Sequence, residues 1–144
     1  MLRSVLAVLL GLAAAVVVMI GVESISHTLL PPPSVDLNDM AAVRAVMAGL
    51  PAGMYVMVLI AWGFAALTGG LLAGRLARRA PLAHAAVIGG LLTVGGLANF
   101  VMLPHPLWVV IGGLLLFLPM ALLGGRLGAR PRPVERGRLS SRTA

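Results

Sequence analysis

Apolar positions gather into four runs of roughly 20 residues, at 4–27, 52–72, 82–102 and 107–127, parted by short polar or proline-containing breaks. At a rise of about 1.5 Å per residue, such a run crosses a hydrocarbon core about 30 Å thick as one α-helix. The pattern therefore predicts an all-α polytopic membrane protein with four transmembrane helices. Within the first break, Met40, Val43, Met47 and Leu50 recur at helical spacing opposite Arg44. Residues 34–39 supply N-cap types just before them, so a short amphipathic helix is expected on the membrane surface in this loop.

Proline marks the ends of the runs. Pro31, Pro32 and Pro33 follow the first run, Pro51 precedes the second, Pro81 the third, and Pro104-His105-Pro106 leaves room only for a tight reversal before the fourth. From Val5 to Val22 the first run passes 18 residues without a charge. A cleavable signal segment has an apolar region of about 7–15 residues, so the first helix is expected to be retained. Pro119, deep in the fourth run, is expected to remove one helical hydrogen bond and bend that helix. Residues 1–130 read as one transmembrane domain, and 131–144, rich in Pro, Arg and Ser, as a disordered cytoplasmic tail.

Composition sharpens the class. Of 144 residues, 60% are hydrophobic and 10% charged, which excludes an ordinary soluble domain. All eleven basic residues are arginine, against the acids Glu23, Asp36, Asp39 and Glu135, for a net charge of +7. The arginines flank the apolar runs and are not interleaved with stacking aromatics, so they read as topology determinants and no nucleic-acid partner is expected. Arg3, three arginines in the turn at 74–81 and six from Arg126 onward fall on one side, and Arg44 alone on the other. By the positive-inside rule both termini are cytoplasmic. The chain has no cysteine, which excludes disulfides and thiolate chemistry.

Small residues recur at four-residue spacing in the runs. Ala66, Gly70 and Gly74, then Ala86 and Gly90, then Ala121 with Gly125 and Gly124 with Gly128 mark faces where helices approach closely, within the chain or in a homo-oligomer. A faint repeat relates the second and fourth runs. One follows Leu50-Pro51 and ends at Gly74-Arg75-Leu76, and the other follows Leu103-Pro104 and ends at Gly125-Arg126-Leu127, implying two parallel hairpins. Trp108 falls where an interfacial aromatic belt would place it, Trp62 near mid-membrane as a core filler, and His84 at the cytoplasmic interface.

One constellation has chemical potential. Glu23 and His27, four residues apart, share a helix face, and Glu23 lies roughly 28 Å along the first helix, at the outer edge of the hydrocarbon core. Asn99 and His105 reach the same level, with Ser24, Ser26 and Tyr55, and Arg44 is placed to close the group from the surface helix. One carboxylate and two imidazoles suit a divalent metal, a proton relay or a lipid headgroup, whereas a solvated helix end accounts for them equally simply. The close His-Glu-x-x-His spacing of a metalloprotease is missing, so neither a metal nor another cofactor is expected.

The pattern Glu23-x-x-x-His27, Pro31-Pro32-Pro33, Asp36-Leu37, Gly69-Gly70-x-x-Ala73-x-Arg75, Gly96-x-Ala98-Asn99, Pro104-x-Pro106-x-Trp108 and Leu123-Gly124-Gly125-Arg126-Leu127 resembles an uncharacterised family of small bacterial four-helix inner-membrane proteins. The resemblance implies a multi-pass protein of the bacterial inner membrane and carries no activity with it. A weaker resemblance is to small multidrug-resistance transporters, which also place a functional glutamate in the first of four helices. Here Glu23 stands near the outer end instead of the middle, and the outer loop of about 20 residues is long for that family. The expected function is a non-enzymatic membrane bundle that supports a partner or its own oligomer, with lipid as its surroundings. A small-solute or proton-coupled transporter using Glu23 is the alternative.

Overall fold

The computed structural model describes residues 2–77 and 79–129. They form α1 (Leu2–Leu29), α2 (Met40–Ala48), α3 (Ala52–Leu76), α4 (Pro81–Met102) and α5 (Leu107–Gly128). All but α2 are long and apolar enough to cross a membrane, which makes the chain a multi-pass, all-α membrane protein. The expected tail at 131–144 lies outside the described residues.

The caps follow from the sequence. The Asp39 carboxylate accepts hydrogen bonds from the backbone N–H of Ala41 and Ala42 at 3.0 and 3.1 Å and so starts α2. Asp36 Oδ1 takes the backbone N–H of Asn38 at 2.9 Å, fixing the turn before that cap. Pro51 and Pro106 occupy the caps of α3 and α5, and Pro81 opens α4, each where a missing N–H costs nothing. Ala80 turns the chain into α4 with a left-handed backbone, φ 48°. α5 runs unbroken through Pro119.

α3 runs one turn past the expected end at 72, through Gly74 and Arg75 to Leu76. The cause is packing. A Cβ at Gly74 would stand 2.8 Å from the Gly125 carbonyl oxygen, so the last turn of α3 is held against α5 where neither helix carries a side chain. Three such seams build the bundle. Between α1 and α3, Gly11 lies against Gly69 and Ala73, and Gly69 against Ala15, with Ile88 of α4 closing the gap. Between α4 and α5, Gly89 meets Leu118 and Ala121, and Gly96 meets Phe117. The stripe Ala7, Gly11, Ala15 is buried and has the four-residue spacing of the others, although α1 is otherwise an unbroken apolar run.

The third seam is between α3 and α5. Gly70 faces Ala121, Gly74 faces Gly125 and Trp62 lies on Gly113, each at an offset of 51 residues, and Gly63 with Leu116 and Gly124 with Leu67 stay near it at 53 and 57. Partners that keep a nearly constant offset belong to parallel helices in register, whereas across the α1 and α3 seam 11 pairs with 73 and 15 with 69, the signature of an antiparallel pair. The four spans thus alternate in direction. The offset is also the one that relates Gly74-Arg75-Leu76 to Gly125-Arg126-Leu127. Gly90, by contrast, has nothing within 4 Å of where its Cβ would be and faces outward.

Candidate functional site

One end of the bundle gathers the chain's start, the turn from α3 to α4 and the end of α5. The opposite end holds α2, the end of α1 and the tight turn between α4 and α5. At this far end Glu23, His27 and His105 line one pocket of about 120 Å³, together with Tyr55, Met47, Met54 and Met57. The residues come from α1, α2, α3 and the loops beside them, and from the turn between α4 and α5, which supplies His105. α2 is fastened over it by the Tyr55 hydroxyl, which donates to the Met47 carbonyl.

Glu23 is half-buried and His27 exposed. The groups that act on the Glu23 carboxylate are the His27 imidazole, one turn on, and the Trp62 indole N–H. Among the described residues no arginine lines the pocket. His105 is held from both sides. Its Nδ1 stands 3.0 Å from the Leu103 carbonyl oxygen, and because a carbonyl only accepts, that nitrogen carries a proton in this contact. The ring packs edge-on against Phe100 at 5.1 Å and Tyr55 at 6.0 Å, and lies 6.2 Å from Trp62. Trp62 in turn stacks on Phe117 at 5.5 Å. Among the described residues no three of His, Asp and Glu come close enough to share a metal ion.

Two expected members stand elsewhere. Asn99 lines a different space, a groove of about 290 Å³ with Leu12 and Met19 of α1, Gly95, Phe117 and Trp62. Trp62, which lines this groove, stands 6.2 Å from the His105 ring. Arg44 does not close the pocket either; its Nε donates to the Met102 carbonyl oxygen at 3.3 Å, filling an orphan acceptor at the end of α4. Ser24 and Ser26 donate to the carbonyls of Ile20 and Val22 on their own helix, at 2.7 and 2.9 Å. Met54 and Met57 carried no sequence signal beyond their closeness to Tyr55, and Met47 stood out only as part of the apolar face of the surface helix.

The Asn99 Oδ1 atom is buried without a hydrogen-bond donor. An orphaned acceptor costs about 1–3 kcal/mol, so Asn99→Leu is expected to raise the unfolding midpoint in detergent by an amount of that order. A lowered midpoint would mean that the amide makes a stabilising contact.

Compared with protein-family models, curated proteins and solved structures, the chain matches none. The functional argument therefore rests on the bundle and its pocket.

Proposed function

We propose that the protein is a non-enzymatic, multi-pass protein of the bacterial inner membrane whose bundle supports its own oligomer or a partner helix. The observation that carries this reading is the outward face of α4. Ala83, Val87, Gly90, Val94 and Val101 follow one another at helical spacing and are all exposed, with open space over Gly90. Apolar burial does not drive helices together in lipid, and a face that admits close backbone approach is a main source of association there. The other seams use their glycines inside the chain, whereas this one is free for a second copy. Gly90→Leu is expected to leave the fold intact and to abolish self-association, read by crosslinking in membranes and by light scattering in detergent. Wild-type oligomer size in Gly90→Leu would refute the assignment of this face.

The orientation that goes with this reading has both termini in the cytoplasm, supported by the ten arginines on the side of the termini against one in the opposite loops. A reporter active only in the cytoplasm is expected to work after residue 144 or within the turn at 77–80, and to be silent near Asp36. The reverse pattern would invert the topology.

A second reading, transport of a small solute or of protons through Glu23, is favoured by a different observation. A half-buried carboxylate that no arginine neutralises, set in a pocket under α2, is the arrangement that a cation or a moving proton would use. Ion or solute flux in proteoliposomes separates the two readings, since a purely supporting bundle carries none.

A further inference from the structure

At the end opposite the Glu23 pocket, four guanidinium groups line one open basin of about 1030 Å³: Arg3 from α1, Arg75 from α3, Arg79 from the turn before α4, and Arg126 from α5. Among the described residues no carboxylate lines it. Asp36 and Asp39 stand in the loop at the far end with α2, and Glu23 lines the pocket there, so among the described residues no acid is placed to neutralise these charges. Arg3 is partly committed, since its Nε donates to the Leu76 carbonyl oxygen at 3.2 Å and fills an orphan acceptor at the end of α3. Its terminal nitrogens are not used by that bond.

Arg75 and Arg126 are related by the same offset of 51 as the seam beneath them. Each follows a glycine, and those glycines, Gly74 and Gly125, are where the two parallel backbones touch. Two equivalent guanidiniums thus leave neighbouring points of two parallel helices and face one basin. Planar guanidinium recognises phosphate through paired N–H donors, and a matched pair of them suits a ligand bearing two like phosphates. Leu2, Leu82 and Leu127, all exposed, stand at the same end and offer apolar surface just inside the headgroup level.

We propose that this basin holds the headgroup of a phospholipid with two phosphates, its acyl chains lying along the exposed leucines. The proposal rests on the membrane-spanning fold and not on the role of α4 or of Glu23. Basic pockets between transmembrane helices at the membrane surface are suited to such headgroups. A free diphosphate shares the phosphate chemistry but not the apolar surface.

The test uses the full chain in mild detergent, titrated with cardiolipin, phosphatidylglycerol or phosphatidylethanolamine and read by native mass spectrometry. One cardiolipin is expected to be retained at least about tenfold more tightly than either other lipid, the effect of one added charge-assisted contact. Inorganic pyrophosphate is expected not to displace it at equal concentration. The double substitution Arg75→Gln, Arg126→Gln should remove the preference, Arg75→Lys, Arg126→Lys should keep part of it, and Arg44→Gln at the far end should keep all of it. Helicity and gel filtration establish that each variant is folded, and the lysine pair, which preserves the charge, tests the fork geometry should the glutamine pair fail to fold. Equal retention of the three lipids by the wild type, an undiminished preference in the glutamine pair, a lysine pair that matches the wild type, or displacement by pyrophosphate would each overturn the proposal.

Discussion

Gly70→Leu is expected to unfold the bundle or to cost it at least about 3 kcal/mol, the upper part of the range for overpacking a core. A Cβ at this position would overlap the carbonyl of Ala121, and backbone cannot move aside as the tip of a side chain can. Gly124 is the reciprocal case, since its Cβ would fall on the Leu67 carbonyl. The intrinsic gain of about 1 kcal/mol from replacing glycine within a helix is too small to offset such an overlap. Gly90→Leu brings that gain with no overlap, so its monomer should be as stable as the wild type. Unfolding in a graded series of mixed detergent micelles, with helicity as the readout, would measure both. A Gly70→Leu protein with wild-type stability would mean that α3 and α5 do not meet along this seam.

These two glycines also show what was legible in the sequence. Both stand at four-residue spacing from another small residue, Gly70 with Ala66 and Gly74, Gly90 with Ala86, and the spacing alone treats them alike. One is buried against a backbone and the other faces out. Span number, the short helix after the first span and span ends to within about a turn were readable, because apolar run length and proline punctuation are local properties of the chain. Rotation about each helix axis was not. In soluble proteins the polar face of a helix reports it, but here both faces are apolar, since one packs on protein and the other on lipid.

The candidate site failed in the same way and at the same point. Rise per residue gave depth, and Glu23, His27 and His105 do share a level and a pocket. Asn99 was assigned by depth too, yet it lines the groove along α1 with Leu12 and Met19 and not the pocket of Glu23. Arg44 was judged by its place opposite an apolar face, and a nearby orphan carbonyl, invisible in the sequence, claims its side chain. Trp62, read as a core filler, does fill the core on Phe117 and Phe100, and it also lines the groove that holds Asn99. The helix repeat was visible only as two short matches, at offsets of 53 and 51 residues, and the α3 and α5 seam brings residues at these offsets into contact.

Glu23→Gln is expected to raise the stability of the protein while removing any flux that it supports. The carboxylate is half-buried, with only His27 and the Trp62 indole acting on it, and no arginine shares its pocket. Holding a charge there costs desolvation that one imidazole does not recover, whereas glutamine keeps the shape without the charge. Removal of the charge should therefore shift unfolding in favour of the folded state, by an amount that solvent at this half-buried position reduces. The amide neither takes up a proton nor balances a cation, so ion-coupled or proton-coupled movement should fall to the level of empty liposomes. The two readouts together decide what Glu23 is for. Gained stability with lost flux marks a group kept at a cost to the fold for its chemistry, the usual trade at functional sites. Gained stability with no flux in either protein would leave the carboxylate without a transport role and the supporting bundle as the reading that stands. Lost stability would show that Glu23 is a structural contact, and the pocket would then cease to be a candidate site.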